Sequence, residues 1–296
     1  MDLSIVIVSW NVYDQLKENL SRIFLSETGF KFEVFVVDNA SHDNTVDMVK
    51  HEFPQVQLIA NQANLGFSAA NNQALRLATG EFVLLLNPDM KPLKSTFDNM
   101  IHWMKLNRSA AAAGCRLLDS NGWIVRHVRR LPNAWNQLAI VLKLPYFFPH
   151  IIDKYLGADF DYDYPSPVDT VRGGFLMIRK DVFRSILSED RFARGEFLDE
   201  RFFVWFEDVD FCRTLKEYGK ELWYTPAASC VDLVGQSFKQ LSRVKAQKLF
   251  KSSMLKYFDK WHHRSLGSLL LRLAWPWGMF LTWFFTAVGF ESKKNT

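Results

Sequence analysis

Cysteine is scarce in this 296-residue chain, and its three thiols (Cys115, Cys212 and Cys230) stand far apart with no C-x-x-C pair. Neither a disulfide framework nor a Cys-based zinc box is expected, and a reducing compartment is the expected setting. Several nucleotide and hydrolase signatures are also missing. There is no G-x-G-x-x-G, no G-x-x-x-x-G-K-[ST], no G-x-S-x-G and no H-E-x-x-H. Dinucleotide oxidoreductases, P-loop enzymes, serine hydrolases and zinc proteases thereby lose their sequence support. Charge of one sign does not dominate. With 36 basic against 32 acidic side chains the formal net charge is +4, too small a surplus to argue for a nucleic-acid partner. The N-terminus has no basic region ahead of its short apolar run, so no secretory leader is expected.

What the chain does have is aromatic residues, 15% of the total with 26 Phe and 10 Trp. That content suits a thick core, a sugar-stacking surface or membrane contact, and composition alone does not choose among them. Across the first 115 residues, apolar strands alternate with amphipathic helices. Strands are expected at Leu3 to Ser9, Glu33 to Asp38, Val56 to Ala60 and Glu81 to Leu86; helices at 13–25, 43–53 and 68–78. Near-continuous apolar strands between helices indicate an α/β fold with a parallel sheet covered on both faces. Ligands of such sheets bind beyond the carboxyl ends of the strands, which singles out 9–11, 38–41 and 87–89. Residues 131–168, rich in Pro, Tyr and Phe with little periodicity, read as a long loop or lid. Helices are expected again at 181–187 and from Glu207 to Tyr218.

Four segments carry possible chemistry. Asp38 stands at a strand end, suited to accept from a base N–H or a ribose hydroxyl, while Ser41 or Asp43 suits the cap of the next helix. Leu84-Leu-Leu-Asn-Pro-Asp89 delivers a carboxylate to the sheet rim, where a hard cation takes one or two carboxylates and completes its shell with phosphate oxygens and water. An Asn-Pro turn with a solvated Asp is the plain alternative. Phe202 to Cys212 sets Glu207, Asp208 and Asp210 among large apolar residues. The helix dipole accounts for one or two acids there; a carboxylate against an apolar wall also gains the proton affinity of a general base. Last, Leu273 to Phe290 runs 18 residues without a charge, roughly 27 Å as a helix, just short of a bilayer core. Pro276 and Gly278 interrupt it, Trp275, Trp277 and Trp283 suit an interface belt, and Lys256, Lys260, Arg264, Lys293 and Lys294 flank it. These features indicate an interfacial or re-entrant anchor; a helix packed on the core is the alternative.

Taken together, Ser4 to Asn11, Val37 to Ser41, Asn64-Leu-Gly-Phe67 with Asn71, Asn87-Pro-Asp89, Arg172-Gly-Gly-Phe175, Leu198 to Phe203 and Glu207 to Cys212 resemble glycosyltransferase family 2, the inverting GT-A type. Within it the chain looks most like bacterial rhamnosyltransferases that build polysaccharide on a lipid carrier. The resemblance covers roughly 3–240. It implies a GT-A fold, a Rossmann-like mostly parallel sheet with helices on both faces, followed by the hydrophobic helical C-terminal segment. The implied organisation is a nucleotide-sugar-binding half over 1–115, an acceptor-binding and catalytic half over 116–240, and a membrane-associating region over 241–296.

Residue by residue, the resemblance implies nucleotide contacts from Ser9, Asn11, Asp38, Asn39, Asn64 and Asn87. It implies a Mg²⁺ or Mn²⁺ ion on Asp89, with Asp208 as general base and Glu207 as its orienting neighbour. Arg172, Gly173, Gly174 and Trp205 would lie beside the acceptor. One departure stands out: where family members often carry a His near the metal, in a segment like H-x-x-G-x-S, this chain has Asp232-Leu-Val-Gly-Gln-Ser237. A carboxylate is an acceptable oxygen ligand, so Asp232 joins the metal set, but it adds negative charge beside the diphosphate. The expected substrates are a nucleotide sugar, dTDP-L-rhamnose first, and a polyprenyl-linked saccharide. UDP-galactofuranose, UDP-hexose or UDP-N-acetylhexosamine are the alternative donors. The expected place is the cytoplasmic face of a bacterial inner membrane. A catalytically silent partner in a polysaccharide assembly complex is the rival from another class.

Overall fold

The structure, a computed structural model, describes residues 1–26, 29–233, 242–263 and 265–287. Its chain alternates as the apolar pattern requires: β1 (Leu3–Ser9), α1 (Tyr13–Leu25), β2 (Phe32–Asp38), α2 (Thr45–Glu52), β3 (Gln57–Ala60), α3 (Phe67–Leu77) and β4 (Phe82–Leu86). β1 and β4 are buried along their whole length, as strands covered on both faces must be. After β4 come β5 (Met90–Pro92), α4 (Thr96–Leu106), β6 (Ala110–Leu118), α5 (Ala134–Val141), β7 (Ser166–Pro167) and β8 (Phe175–Arg179). The chain continues through α6 (Lys180–Ile186), α7 (Glu189–Ala193), α8 (Glu207–Glu217), β9 (Glu221–Asp232), α9 (Arg243–Trp261) and α10 (Leu266–Ala287).

The strands form one sheet in the order β3-β2-β1-β4-β8-β6-β9-β5, with β7 pairing β9. β3, β2, β1 and β4 are mutually parallel; β8 runs antiparallel between β4 and β6, and β5 antiparallel along β9. Two apolar cores cover the two faces. One gathers Leu16, Leu20, Phe97, Met100 and Met104 from α1 and α4; the other gathers Ala70, Ala74, Phe183, Phe211 and Leu215 from α3, α6 and α8. Ser9 lies opposite Asp38 at the ends of β1 and β2, so both residues reach the carboxyl rim together.

The 131–168 segment differs from a bare loop. Asn133 accepts from the Asn136 backbone N–H at 3.0 Å, and the Asn136 side chain accepts from Asn133 N–H at 3.1 Å, a reciprocal cap that starts α5. This helix packs on α10, where a Cβ on Gly278 would stand 2.7 Å from the Val141 carbonyl oxygen. A third apolar core joins α5, α9 and α10 to the 202–206 segment through Val141, Phe202, Phe206, Met254, Tyr257, Phe258, Leu271 and Trp275. The C-terminal helix is thus two-faced: Leu271 and Trp275 are buried, whereas Leu273, Trp277, Phe280 and Trp283 are more than half exposed. No helix among the described residues is long and apolar enough to cross a membrane. Residues 288–296, with Lys293 and Lys294, and residues 234–237 of the Asp232 segment lie outside the described residues.

Candidate active site

The carboxyl rim opens into a cleft of about 720 Å³. Its wall holds Asn39, Asn64, Asn87, Asp89, Arg172, Gly173, Gly174, Trp205, Glu207, Asp208 and Asp232, so the structure brings together most of the residues that the sequence singles out. Ser9, Asn11 and Asp38 stand behind the wall, in the paired turns after β1 and β2. Asp38 Oδ2 accepts from Ser41 N–H at 2.9 Å, leaving Oδ1 buried without a partner, as is Ser9 Oγ. Unmatched buried acceptors at the rim of a parallel sheet are groups that a ligand donor would satisfy. Asn11, at φ +51°, instead ties the two turns together, accepting from His42 N–H at 2.7 Å. Neither Ser41 nor Asp43 caps α2: Asn44 precedes it without a side-chain cap bond, and Asp43 instead accepts from Thr45 N–H at 3.2 Å and from Tyr13 N–H at 3.1 Å, tying the two turns together.

Asn39 is the hub of one wall of the cleft. Its Nδ2 donates to Asn64 Oδ1 at 3.1 Å and to the Gly66 carbonyl at 3.2 Å, while its Oδ1 accepts from Leu65 N–H. Gly66 cannot be replaced cheaply, because its φ of +86° and a Cβ only 2.6 Å from the Phe203 carbonyl oxygen both exclude a side chain. The Asn87-Pro-Asp89 turn is anchored from below. Buried Asn19 donates to the Asn87 and Met90 carbonyls, and Asn87 N–H bonds the Gly174 carbonyl at 2.9 Å.

Asp89 and Asp232 are both buried and come from neighbouring segments: Met90 lies opposite Asp232 in the β5–β9 ladder, and Leu233 N–H reaches the Asp89 carbonyl. Arg172 Nη1 donates to Asp232 Oδ2 at 2.7 Å, so the charge added by this aspartate is partly offset by an arginine of the same wall. Two oxygen-donor carboxylates fit a hard divalent cation. Among the described residues no three His, Cys, Asp or Glu side chains gather to hold an ion by themselves, so the remaining ligands would be diphosphate oxygens and water.

The Glu207–Asp208 pair opens α8. The two residues before it, Trp205 and Phe206, hold φ of +63° and +66°, a left-handed pair that costs of order 1–3 kcal/mol each. The turn persists because α9 clamps it: Phe206 is buried against Phe250 and Tyr257, and Ser253 Oγ donates to the Val204 carbonyl at 2.7 Å. Asp208 Oδ2 accepts from Gly173 N–H at 3.0 Å and Oδ1 from Val209 N–H at 2.8 Å. A Cβ on Gly173 would stand 2.9 Å from Asp208 Cβ, so the close approach that this glycine permits is made by Asp208 itself. Burial raises the pKa of both carboxyls, and for Glu207 the neighbouring Asp208 charge raises it further, well above the ordinary range. Glu207 Oε2 has no partner, whereas both Asp208 oxygens are steadied by backbone N–H groups. Glu207 therefore holds its proton more tightly than an ordinary glutamate, while the backbone N–H groups on Asp208 oppose part of the rise that burial causes there.

This assignment has a measurable consequence. A carboxyl whose pKa is raised by folding contributes stability that is complete below its unfolded value and is lost as pH rises through the folded value. A Glu207→Gln chain has no such loss, so its unfolding midpoint should gain on the native one as pH rises above the ordinary glutamate value of 4.5. Parallel thermal melts from pH 4 to 8 check this, and a constant difference would place an ionised glutamate in the native site.

Sequence reasoning passed over Trp10, His127, Arg129, Tyr155 and Lys245, which also line the cleft. His127 is buried and its pKa is pushed down to about 3 by desolvation and by Arg172 and Arg129, so it faces the cleft as a neutral ring. Arg129 is delivered by an isolated pairing, exchanging both backbone hydrogen bonds with Thr170 at 3.1 Å. No local motif marks either residue, because the pairing that brings them in spans 41 positions.

Known proteins resemble this chain in sequence and in fold. The family model described as Glycosyl transferase family 2 matches residues 4–187, more than half of the chain. A low-salt glycan biosynthesis hexosyltransferase of Haloferax volcanii is 26% identical over 216 residues, 71% of this chain and 60% of that relative, so the chain spans less than two thirds of its length. The N-acetylglucosaminyl-diphospho-decaprenol L-rhamnosyltransferase of Mycobacterium tuberculosis is 24% identical over 237 residues, 76% of this chain and 74% of the relative. Among solved structures, a mannosyltransferase of Pyrobaculum calidifontis in complex with GDP-Man and Mn²⁺ superposes with a TM-score of 0.55 at 18% identity, covering 98% of this chain and 76% of that one. That likeness concerns the fold.

Proposed function

Because the chain belongs to glycosyl transferase family 2 and is a glycosyltransferase, we propose that its cleft performs inverting transfer from a nucleoside-diphosphate sugar to a lipid-linked saccharide of cell-surface polysaccharide synthesis. One observation carries the reading: a buried carboxyl pair, Glu207 and Asp208, shares a cleft with the amide wall of Asn39 and Asn64 and with Asp89. The nucleoside lies at the carboxyl rim, where Asp38 and Ser9 offer unmatched acceptors to its base and ribose. The diphosphate lies over the Asn87–Asp89 turn. Asp208 takes the proton of the acceptor hydroxyl as that oxygen bonds to the anomeric carbon, and the nucleoside diphosphate leaves from the opposite face. Proton-bearing Glu207 keeps a second charge out of the site at that moment. Asp89, with Asp232 beside it, would hold Mg²⁺ or Mn²⁺, whose contribution is to neutralise the departing diphosphate.

For the donor we favour L-rhamnose on dTDP and for the acceptor a polyprenyl-diphosphate saccharide. The support is the mycobacterial relative, whose name states both a rhamnosyl transfer and a diphospho-decaprenol acceptor. The exposed aromatic face of α10 suits contact with the membrane surface in which such an acceptor resides.

Titration of the purified chain with dTDP, UDP and GDP, each with Mn²⁺ and with chelator, tests the donor site. One of the three is expected to bind with Mn²⁺ and to weaken by at least about tenfold (~1.4 kcal/mol) with chelator or in an Asp89→Ala chain. Binding of none of them would overturn the transferase reading and favour a silent partner. Metal-independent binding would remove Asp89 from its proposed role.

A further inference from the structure

A second hollow of about 480 Å³ adjoins the cleft and shares Tyr155 with it as a common wall. Its lining is amphiphilic. Leu131, Leu138, Leu142 and Ile151 supply an apolar floor from α5 and the segments on either side of it, and Arg130 and Lys154 line the same hollow. Both cations are exposed, and neither is engaged by a carboxylate among the described residues. Asp153, the acid next to Lys154, is bonded to His150 at 2.7 Å instead. Two free cations lining an apolar pocket, beside a catalytic cleft, match a ligand that carries a diphosphate at the head of a hydrocarbon chain.

The backbone explains why the two sites communicate. Arg129 pairs with Thr170 in extended conformation, so consecutive side chains point to opposite sides: Arg129 into the cleft, where its charge acts on Asp208, and Arg130 into the second hollow. Arg130 N–H also bonds the Tyr155 carbonyl at 3.0 Å, which fixes the dividing wall. A diphosphate seated on Arg130 and Lys154 would therefore lie across Tyr155 from the cleft that holds Asp208.

We infer that this hollow, formed by Arg130, Lys154 and the apolar floor of α5, binds the prenyl-diphosphate end of the acceptor. The inference rests on the transferase reading above and adds a place for the lipid. The hollow holds the diphosphate and the first isoprenoid units. The remaining chain has a continuous apolar path outward, because the segment after α5 exposes Phe147, Phe148 and Ile151, and Phe147 and Tyr146 meet Phe285 of α10 at 6.5 Å and 5.5 Å between ring centroids.

Binding of farnesyl diphosphate to the full chain, measured by titration with and without the nucleotide that binds best in Mn²⁺, tests the assignment. The native chain is expected to bind farnesyl diphosphate at least tenfold more tightly than inorganic pyrophosphate, and saturating nucleotide should not displace it. An Arg130→Ala, Lys154→Ala chain should weaken it at least tenfold with nucleotide affinity unchanged. Ile151→Glu, at a half-exposed position, should do the same from the apolar side. Displacement by nucleotide, equal affinity for pyrophosphate, or indifference to both variants would each overturn the inference. Those failures leave nucleotide binding intact, whereas failure of the transferase reading shows as a native chain that binds no nucleotide.

Discussion

An Asp208→Asn chain is expected to transfer sugar about 10²–10⁴-fold more slowly than the native chain, the range that a positioned general base contributes. The amide keeps the size of the side chain, and its oxygen can still accept from Gly173 or Val209, so the start of α8 should keep its shape. Nucleotide affinity, governed by the far wall of the cleft, should change little. The loss therefore belongs in kcat, because the proton is in flight only in the transition state. The native rate should also climb with pH through an acidic limb lying above the ordinary aspartate range, since burial raises the pKa of Asp208. Steady-state rates and nucleotide titration on the same preparation check both parts. Full activity in the asparagine chain would remove the base assignment, and a loss of nucleotide binding equal to the loss of rate would mean a distorted site.

The second large effect is expected behind the cleft wall, at Lys260 in the last turn of α9. Its ammonium bridges Asp199 Oδ2 at 3.0 Å and Asp210 Oδ2 at 2.7 Å, and Trp261 Nε1 donates to the other Asp210 oxygen at 2.7 Å. All three charged groups are largely removed from water; Lys260 keeps 18% of its side-chain exposure. Burial by itself would raise the Asp199 pKa, yet Arg201 and Lys260 hold it well below the usual carboxylate range, whereas burial prevails at Asp210 and raises it. Asp199 and Asp210 flank the strained 205–206 turn, so one cation ties both ends of the segment that presents Glu207 and Asp208. Lys260→Met leaves two buried carboxyls without their shared partner and should cost about 3 kcal/mol in urea unfolding at neutral pH. The Asp199 part of that loss should fade in strong acid. Its depressed pKa contributes stability above the unfolded value, and this is lost as pH falls through the folded one. A Lys260→Arg chain should recover much of the loss. If Lys260→Met unfolded at the native urea concentration, the bridge would be a surface pair of little consequence.

What the chain determined locally follows from short-range physics. The apolar runs of β1, β2 and β4 can only be strands buried on both faces, and the helices between them have the spacing that covers such a sheet. With the strands assigned, the rule that ligands sit beyond their carboxyl ends singled out the segments 9–11, 38–41 and 87–89, and the family resemblance supplied the residue roles within them. Glu207 and Asp208 stood out as acids opening a helix after a run of aromatics, but the helix dipole accounts for one or two such acids, and their expected roles came from the family resemblance.

Other features needed the assembled fold. The antiparallel insertion of β8 between β4 and β6 depends on pairing across some ninety positions, and it is this insertion that puts Gly173 N–H against Asp208. The cap of α5 was present in the sequence at Asn133 and Asn136, but the aromatic and proline-rich flanks hid its periodicity. Only packing against α10 turned an expected lid into a wall. His127, Arg129 and the Arg130–Lys154 hollow carry no motif, since cations and rings become a site only when distant segments meet. For the C-terminal helix, hydrophobicity and the tryptophans indicated an interfacial or re-entrant anchor, with packing on the core as the alternative. Tertiary structure divided it, giving one face to the 202–206 turn that precedes Glu207 and Asp208 and leaving the other aromatic and exposed. Periodicity reports which residues leave water, whereas the charges and contacts they meet there depend on chain closure over long separations, which no local pattern encodes.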